Sequence, residues 1–177
     1  MKGGRPEEAA RIRRLRADEW ASFRELRLAA LRCDPAAFGS TLEREQGYPD
    51  EKWRSWAAEG AEGSENATFV AEGRDRELVG LGGVFTAEGA SHVWGMWVAP
   101  GHRGRGVGGA LLDELVRWAK AKSPAGSVLL QVNPDQAGAV RLYETRGFRP
   151  TGRADPLGHH PPAVAIEMRQ QGYGEAG

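Results

Sequence analysis

The run Met96-Trp97-Val98-Ala99-Pro100-Gly101-His102-Arg103-Gly104-Arg105-Gly106-Val107-Gly108-Gly109-Ala110 constrains the fold more than any other part of the chain. Bulky apolar residues stop at a proline, which reads as a buried strand and its end. Past the glycines, Leu111, Leu112, Leu115, Val116 and Ala119 recur on one face of a helix. That helix begins inside the glycines. Its first N–H groups have no intrahelical partner, point back at the turn and carry the positive end of the helix dipole. Gly104, Gly106, Gly108 and Gly109 bring no side chains, so a phosphate can approach those N–H groups. Arg103 and Arg105, with His102 beside them, add positive charge. The turn reads as the seat of a phosphorylated cofactor.

Three cofactor classes use such a turn. A nucleoside triphosphatase loop ends in Gly-Lys-Ser or Gly-Lys-Thr, and here Gly108-Gly109-Ala110 stands instead. A dinucleotide site is the alternative enzyme class, because Gly104, Gly106 and Gly109 satisfy G-x-G-x-x-G and Asp135 follows the next strand. Against it, only about 40 residues follow that strand, few for a doubly wound sheet. Arginines inside the turn are also foreign to that fingerprint. The third class is acyl-coenzyme A.

Arg103-Gly104-Arg105-Gly106-Val107-Gly108 resembles the Arg/Gln-x-x-Gly-x-Gly/Ala signature of the GNAT superfamily of N-acetyltransferases. Ala139-Val140-Arg141-Leu142-Tyr143-Glu144-Thr145-Arg146-Gly147-Phe148 resembles that family's Ala-Ile/Val-x-Leu-Tyr-x-x-x-Gly-Phe helix end. The likeness runs from Val93 to Gly152. A looser one covers Asp34-Pro35-Ala36-Ala37-Phe38-Gly39-Ser40, similar to a segment between the first two helices of many members. The family usually has Asn three residues before the Ala of the second motif. Here Gln136 takes that place and Asn133 lies earlier, so both are candidates for touching the cofactor.

The resemblance implies an α/β fold of the α+β type, a mixed, largely antiparallel central sheet flanked by helices. It implies acetyl-coenzyme A as cofactor and a primary amine of a small molecule or peptide as acceptor. The strand ending at Val98 would splay from the strand 128–132, and the pantetheine arm would enter the gap and bond to backbone near Met96, Trp97 and Val98. Cofactor-binding candidates are those three with Arg103, Gly104, Arg105, Gly106, Val107, Gly108, Gly109, Asn133, Gln136 and Tyr143. A backbone N–H near Val98 would face the developing oxyanion. The resemblance also allows a homodimer, and a non-catalytic acyl-coenzyme A sensor on the same fold is the alternative outside enzymes.

Acetyl transfer to an amine has two proton problems. The amine must be neutral to attack, and the departing thiolate gains from a donor. Tyr143 matches the family's donor, since a phenol with a pKa near 10 keeps its proton at neutral pH. For the base, strict alternation puts His92, Trp94, Met96 and Val98 on one face, with His92 the titratable member. Glu72 and Glu88 are further candidates. His159-His160 reads as a loop pair rather than a metal site. Phe38, Tyr48, Trp53 and Trp56, with Asp34, Glu43, Glu45, Asp50 and Glu51, are available to an acceptor or to packing.

Composition sets outer bounds. The 177 residues suit one core, with residues 1–9 a leader, 10–170 one domain and 171–177 a tail. With 24 basic and 24 acidic residues there is no global pull toward nucleic acid or an anionic membrane. No apolar run reaches the roughly 18 residues of a spanning helix. The single cysteine, Cys33, excludes an intrachain disulfide and fits a reducing, cytoplasmic setting; it reads as a small helix residue.

Along the chain, the pattern predicts a strand at 12–15, a helix capped by Asp18 and stopped by Asp34-Pro35, and a helix opened by Pro49. A loop at 60–66 precedes strands at 67–72, 78–85 and 91–98. After the strand at 128–132 come a helix at 135–146 closed by Gly147 and strands at 148–153 and 163–169, joined by a proline-rich connection.

Overall fold

The computed structural model describes residues 10–159, 161 and 163–171. The expected leader, most of the tail, and His160 lie outside the described residues. One seven-stranded sheet has the order β1-β2-β3-β4-β5-β7-β6. Its strands are β1 (Arg11–Arg14), β2 (Asn66–Glu72), β3 (Leu78–Ala87), β4 (Ala90–Val98), β5 (Ser127–Val132), β6 (Phe148–Pro156) and β7 (Val164–Gln170). Every neighbouring pair is antiparallel except β4 and β5, which are parallel. This is the mixed, largely antiparallel sheet expected. It is not the parallel sheet of a dinucleotide fold, and the dinucleotide reading of the glycines fails here.

Helices cover both faces. On one face lie α1 (Trp20–Cys33), α2 (Leu42–Gln46) and α3 (Asp50–Glu62). Phe23, Leu31, Trp53 and Ala57 of this layer pack with Val70, Leu81 and Trp97 of the sheet. On the other face lie α4 (Val107–Lys122) and α5 (Ala137–Thr145). There Leu112, Leu115 and Tyr143 pack with Val84, Val128, Leu130 and Met168. A 3-10 turn at Pro35–Ala37 links α1 toward α2.

Three local expectations need correcting. Asp18 is not a helix cap: it sits inside a 3-10 turn, Ala17–Glu19, and Glu19 Oε2 accepts from the Arg16 N–H at 3.0 Å instead. The loop expected from Gly60 is helical to Glu62; the glycine there serves close packing, since a side chain would run into Thr68. β6 extends into the proline-rich connection, to Pro156.

The correction with most bearing on function is in β4. Leu81 pairs with Trp97 and Gly83 with Trp94, so Gly95 and Met96 both stand opposite Gly82. This is a β-bulge, and Gly95 takes the left-handed φ of 66° that it requires. The bulge reverses the side-chain alternation. Trp94 and Trp97 face the α1–α3 layer, while Met96 and Val98 pack on the α4 side. Gly83 completes the arrangement, since a Cβ there would run into the Trp94 indole.

Candidate active site

β4 and β5 pair from Ala90/Ser127 to Val93/Leu130 and then separate. Beyond Val93, the edge of β4 that faces β5 has no strand partner among the described residues. A cleft of about 610 Å³ opens there, lined by Val93 to Val98 on one side and Leu130 to Asn133 on the other. It runs to the glycine turn and to the start of α5.

The turn meets the test for an anion seat. Gly106 is the N-cap of α4 at φ 79°, and Gly104 is at φ 74°. Among the described residues nothing lies within 4 Å of where a Cβ on either would lie. Val107, Gly108 and Gly109, the first residues of α4, line the cleft. Their unpaired N–H groups and the helix dipole favour a phosphate at this end. The shape suits a long cofactor with an anionic end at the turn and an extended arm between the strands.

A strap bridges the open end of the splay. Asp34, at the end of α1, accepts through Oδ2 from Trp97 Nε1 at 2.7 Å and from Arg103 Nη2 at 2.6 Å. That ties the strap to β4 and to the turn. Two residues on, the Ala36 carbonyl accepts from Asn133 Nδ2 at 3.1 Å, which ties it to the end of β5. Asp34 and Ala37 both line the cleft. Partial burial pushes the Asp34 carboxyl up, but the donors on Trp97 and Arg103 and the Arg103 charge outweigh it and hold it below the usual carboxylate range.

The structure brings most expected site residues together. Met96, Trp97, Val98, Arg103, Gly104, Gly106, Val107, Gly108, Gly109, Asn133, Gln136 and Tyr143 all line the cleft. Several have duties that spacing did not show. Arg103 braces the turn, donating from Nε to the Val98 carbonyl at 2.8 Å as well as to Asp34. Asn133 is 4% exposed and is spent on Ala36 and on the Asp135 N–H at 3.0 Å. Gln136 is the N-cap residue of α5 and makes no side-chain cap, so its amide faces fewer competing partners. Arg105 is exposed on the turn and is not among the cleft-lining residues.

Tyr143 projects from α5 into the same cleft and is 6% exposed, its ring 6.1 Å from that of Phe148. Burial pushes its phenol above the ordinary range, so it keeps its proton at any ordinary pH. The base candidates are placed elsewhere. His92 does not line the cleft; its ring stacks on Phe85 with centroids 5.0 Å apart. It precedes the bulge, which is why strict alternation grouped it with Met96. Glu72 is held by Arg13 at 2.6 Å, and Glu88 sits in the β3–β4 turn. Among the described residues no group of three or more His, Cys, Asp or Glu could hold a metal, and no helix is long and apolar enough to cross a membrane.

Sequence reading missed the strap. Its signal was the Asp34–Ser40 segment, whose likeness to a family segment carried no role. The bulge at Gly95 was missed as well.

A mixed sheet that splays beside a glycine-capped helix defines an acyl-coenzyme A type of fold. The comparisons agree. Residues 15–148 match the model of the acetyltransferase (GNAT) family, and the chain belongs to that family. It is 34% identical over 105 residues to streptothricin acetyltransferase of Streptomyces lavendulae, covering 57% of this chain and 54% of that protein. It thus spans about half the length of that relative. Among solved structures, a GNAT acetyltransferase from Streptococcus pneumoniae superposes with a TM-score of 0.75 at 18% identity, over 90% of this chain and 98% of that one. A GCN5-related N-acetyltransferase from Kribbella flavida does so with a TM-score of 0.68 at 25% identity, over 92% and 97%.

Proposed function

We propose that this protein transfers an acetyl group from acetyl-coenzyme A directly to a primary amine of a small molecule or peptide. One observation carries the reading: a single cleft joins an anion seat at the start of α4, an unpaired strand edge at Trp94–Val98, and the buried phenol of Tyr143. When bound, acetyl-coenzyme A supplies the activated acyl group. The chain supplies the rest. N–H groups at Val107 to Gly109 hold the phosphates, and the free edge of β4 orients the extended arm by backbone hydrogen bonds. Tyr143 gives its proton, or a hydrogen bond, to the departing thiolate.

Deprotonation of the amine falls to water in the cleft, since His92, Glu72 and Glu88 stand outside it. Asp34 is held ionised, which suits it to attract an ammonium rather than to strip one. No covalent enzyme intermediate is invoked: Cys33 is exposed and is not among the cleft-lining residues. The relative named for streptothricin supports a small-molecule acceptor.

The test is a thermal-shift titration with acetyl-coenzyme A, coenzyme A and NADH, followed by thiol release across an amine panel. A ligand of the folded state stabilises it by about 2.7 kcal/mol at one hundred times its Kd. Stabilisation by the coenzyme A species with thiol release is the expected result. Stabilisation without release from any amine would make the protein an acyl-coenzyme A sensor.

A further inference from the structure

The main cleft leaves a second cavity unexplained. It measures about 240 Å³ and is lined by Trp56 and Glu59 of α3, Asn66 of β2, Val84 and Phe85 of β3, and Trp94 of β4. Trp94 lines both cavities.

The walls are largely apolar, with Asn66 and Thr68 among them, and the indoles offer edges. Trp56 stacks on Trp53 and on Trp94, with centroids 5.4 Å apart in each case, and Trp94 lies over Gly83. Edges of this kind suit methylene groups better than a bare cation, which seeks a ring face. Phe85 is 37% exposed, a large aromatic left open beside a concavity. Glu59 is the charged residue of the lining. Its Oε1 accepts from Ser55 Oγ at 3.2 Å, and among the described residues it has no basic partner. Arg27 lies 5.8 Å from the Trp56 ring and 5.9 Å from that of Trp94, but Glu45 matches its charge through two hydrogen bonds. The cavity therefore presents a largely apolar lining with one carboxylate, while the Arg14 guanidinium is taken up by the Gly60, Gly63 and Asn66 carbonyls. An alkylammonium fits that pattern, with methylenes on the walls and the charged head at Glu59.

We infer that this cavity holds the distal ammonium arm of a diamine or polyamine acceptor whose other amine reacts in the main cleft. The second half of that statement rests on the acetyltransferase reading above; the binding of the arm does not. Glu59 is then a specificity-determining residue and Phe85 a wall for the chain.

The experiment compares kcat/KM for α,ω-diamines, from 1,4-diaminobutane to 1,12-diaminododecane, with the monoamine of equal carbon count. Wild type, Glu59→Gln and Glu62→Gln are assayed; Glu62 ends α3 and is absent from the lining. A second readout needs no chemistry: tryptophan fluorescence is titrated with the same diamines without cofactor, because Trp56 and Trp94 form the walls. Diamines should be preferred by about fivefold at the fitting length, the yield of a part-exposed ion pair. Glu59→Gln should abolish the preference and weaken the titration by the same factor, with monoamine kinetics unchanged and Glu62→Gln like wild type. A wild type indifferent to the second amine, or a preference that survives Glu59→Gln, overturns the inference. Fluorescence binding that depends on Glu59, without turnover of any amine, would retain this site and discard the acetyltransferase reading.

Discussion

Tyr143 carries more of the proposed chemistry than any other side chain. Its value as a donor comes from its surroundings: burial against Phe148 and the β-sheet disfavours the phenolate, so the phenol stays protonated and suits hydrogen-bond donation to the departing sulfur more than full proton transfer. Tyr143→Phe removes one oxygen and leaves the ring in place. We expect kcat to fall by about a hundredfold, the lower end of general acid catalysis, with the Kd for acetyl-coenzyme A unchanged in thermal shift. Wild-type turnover in the variant would mean that solvent protonates the thiolate. His92→Gln is the matched contrast. Because His92 stacks on Phe85 outside the cleft, the pH–rate profile of this variant should overlay that of wild type, rising as the amine loses its proton. A displaced profile would return His92 to the mechanism.

At the scale of elements, α2 shows how a short helix is held. Its five residues cannot sustain a helix alone. Glu45 fixes it to α1 through bonds to Arg27 at 2.9 and 2.8 Å, with both residues buried. Glu45→Gln would leave a buried guanidinium without its counter-charge, at a cost of about 3–5 kcal/mol in urea unfolding. Arg27→Met combined with Glu45→Leu should recover much of that loss; if the double variant is no more stable than Glu45→Gln, the pair matters for packing and not for charge. The legibility of the elements divides along similar lines. α4, α5 and the glycine turn could be read because each carries its signal within its own residues: apolar spacing, missing side chains, Gly147 beyond the last turn. The alternation of β4 could not, because a bulge is set by what stands opposite. Gly82 faces two residues of β4, and nothing in the β4 run states that. The strap was hidden for the same reason, since Ala36 and Asn133 are 97 positions apart and meet only through the fold. Gly60 misled in the other direction. A glycine inside a run of Ala and Glu reads as a break, yet here it lets α3 lie close on Thr68.

At the scale of the molecule, a charge network joins the first strand to the rest. Arg13 of β1 binds Glu19 and Glu72, each at 2.6 Å. The hydrogen bond from Arg13 holds the Glu19 carboxyl down at about 2, against partial burial, and Glu72 is lowered by the same guanidinium. An unfolded glutamate titrates near 4.3. The folded values lie below that, so the network's stabilisation is complete above about pH 5 and is lost as pH falls through the folded values toward 2. Urea midpoints measured from pH 7 to pH 3 should fall steadily below pH 5, and Arg13→Met should flatten that slope. A slope unchanged in the variant would place acid sensitivity elsewhere.

The strap has a consequence for the energetics of ligand capture. β4, the segment Asp34–Ala36, β5 and the ladder between the two strands form a closed ring around the splay. Two strands held apart leave an unpaired edge, which is unfavourable on its own. In this molecule the ring imposes that separation when the chain folds. A ligand entering the gap finds backbone groups already spaced to receive it and loses little freedom in ordering them. Cutting either tie, at Asp34 or at Asn133, would shift that ordering onto the binding step, and association would become slower and more temperature-dependent even where every contact to the ligand survives.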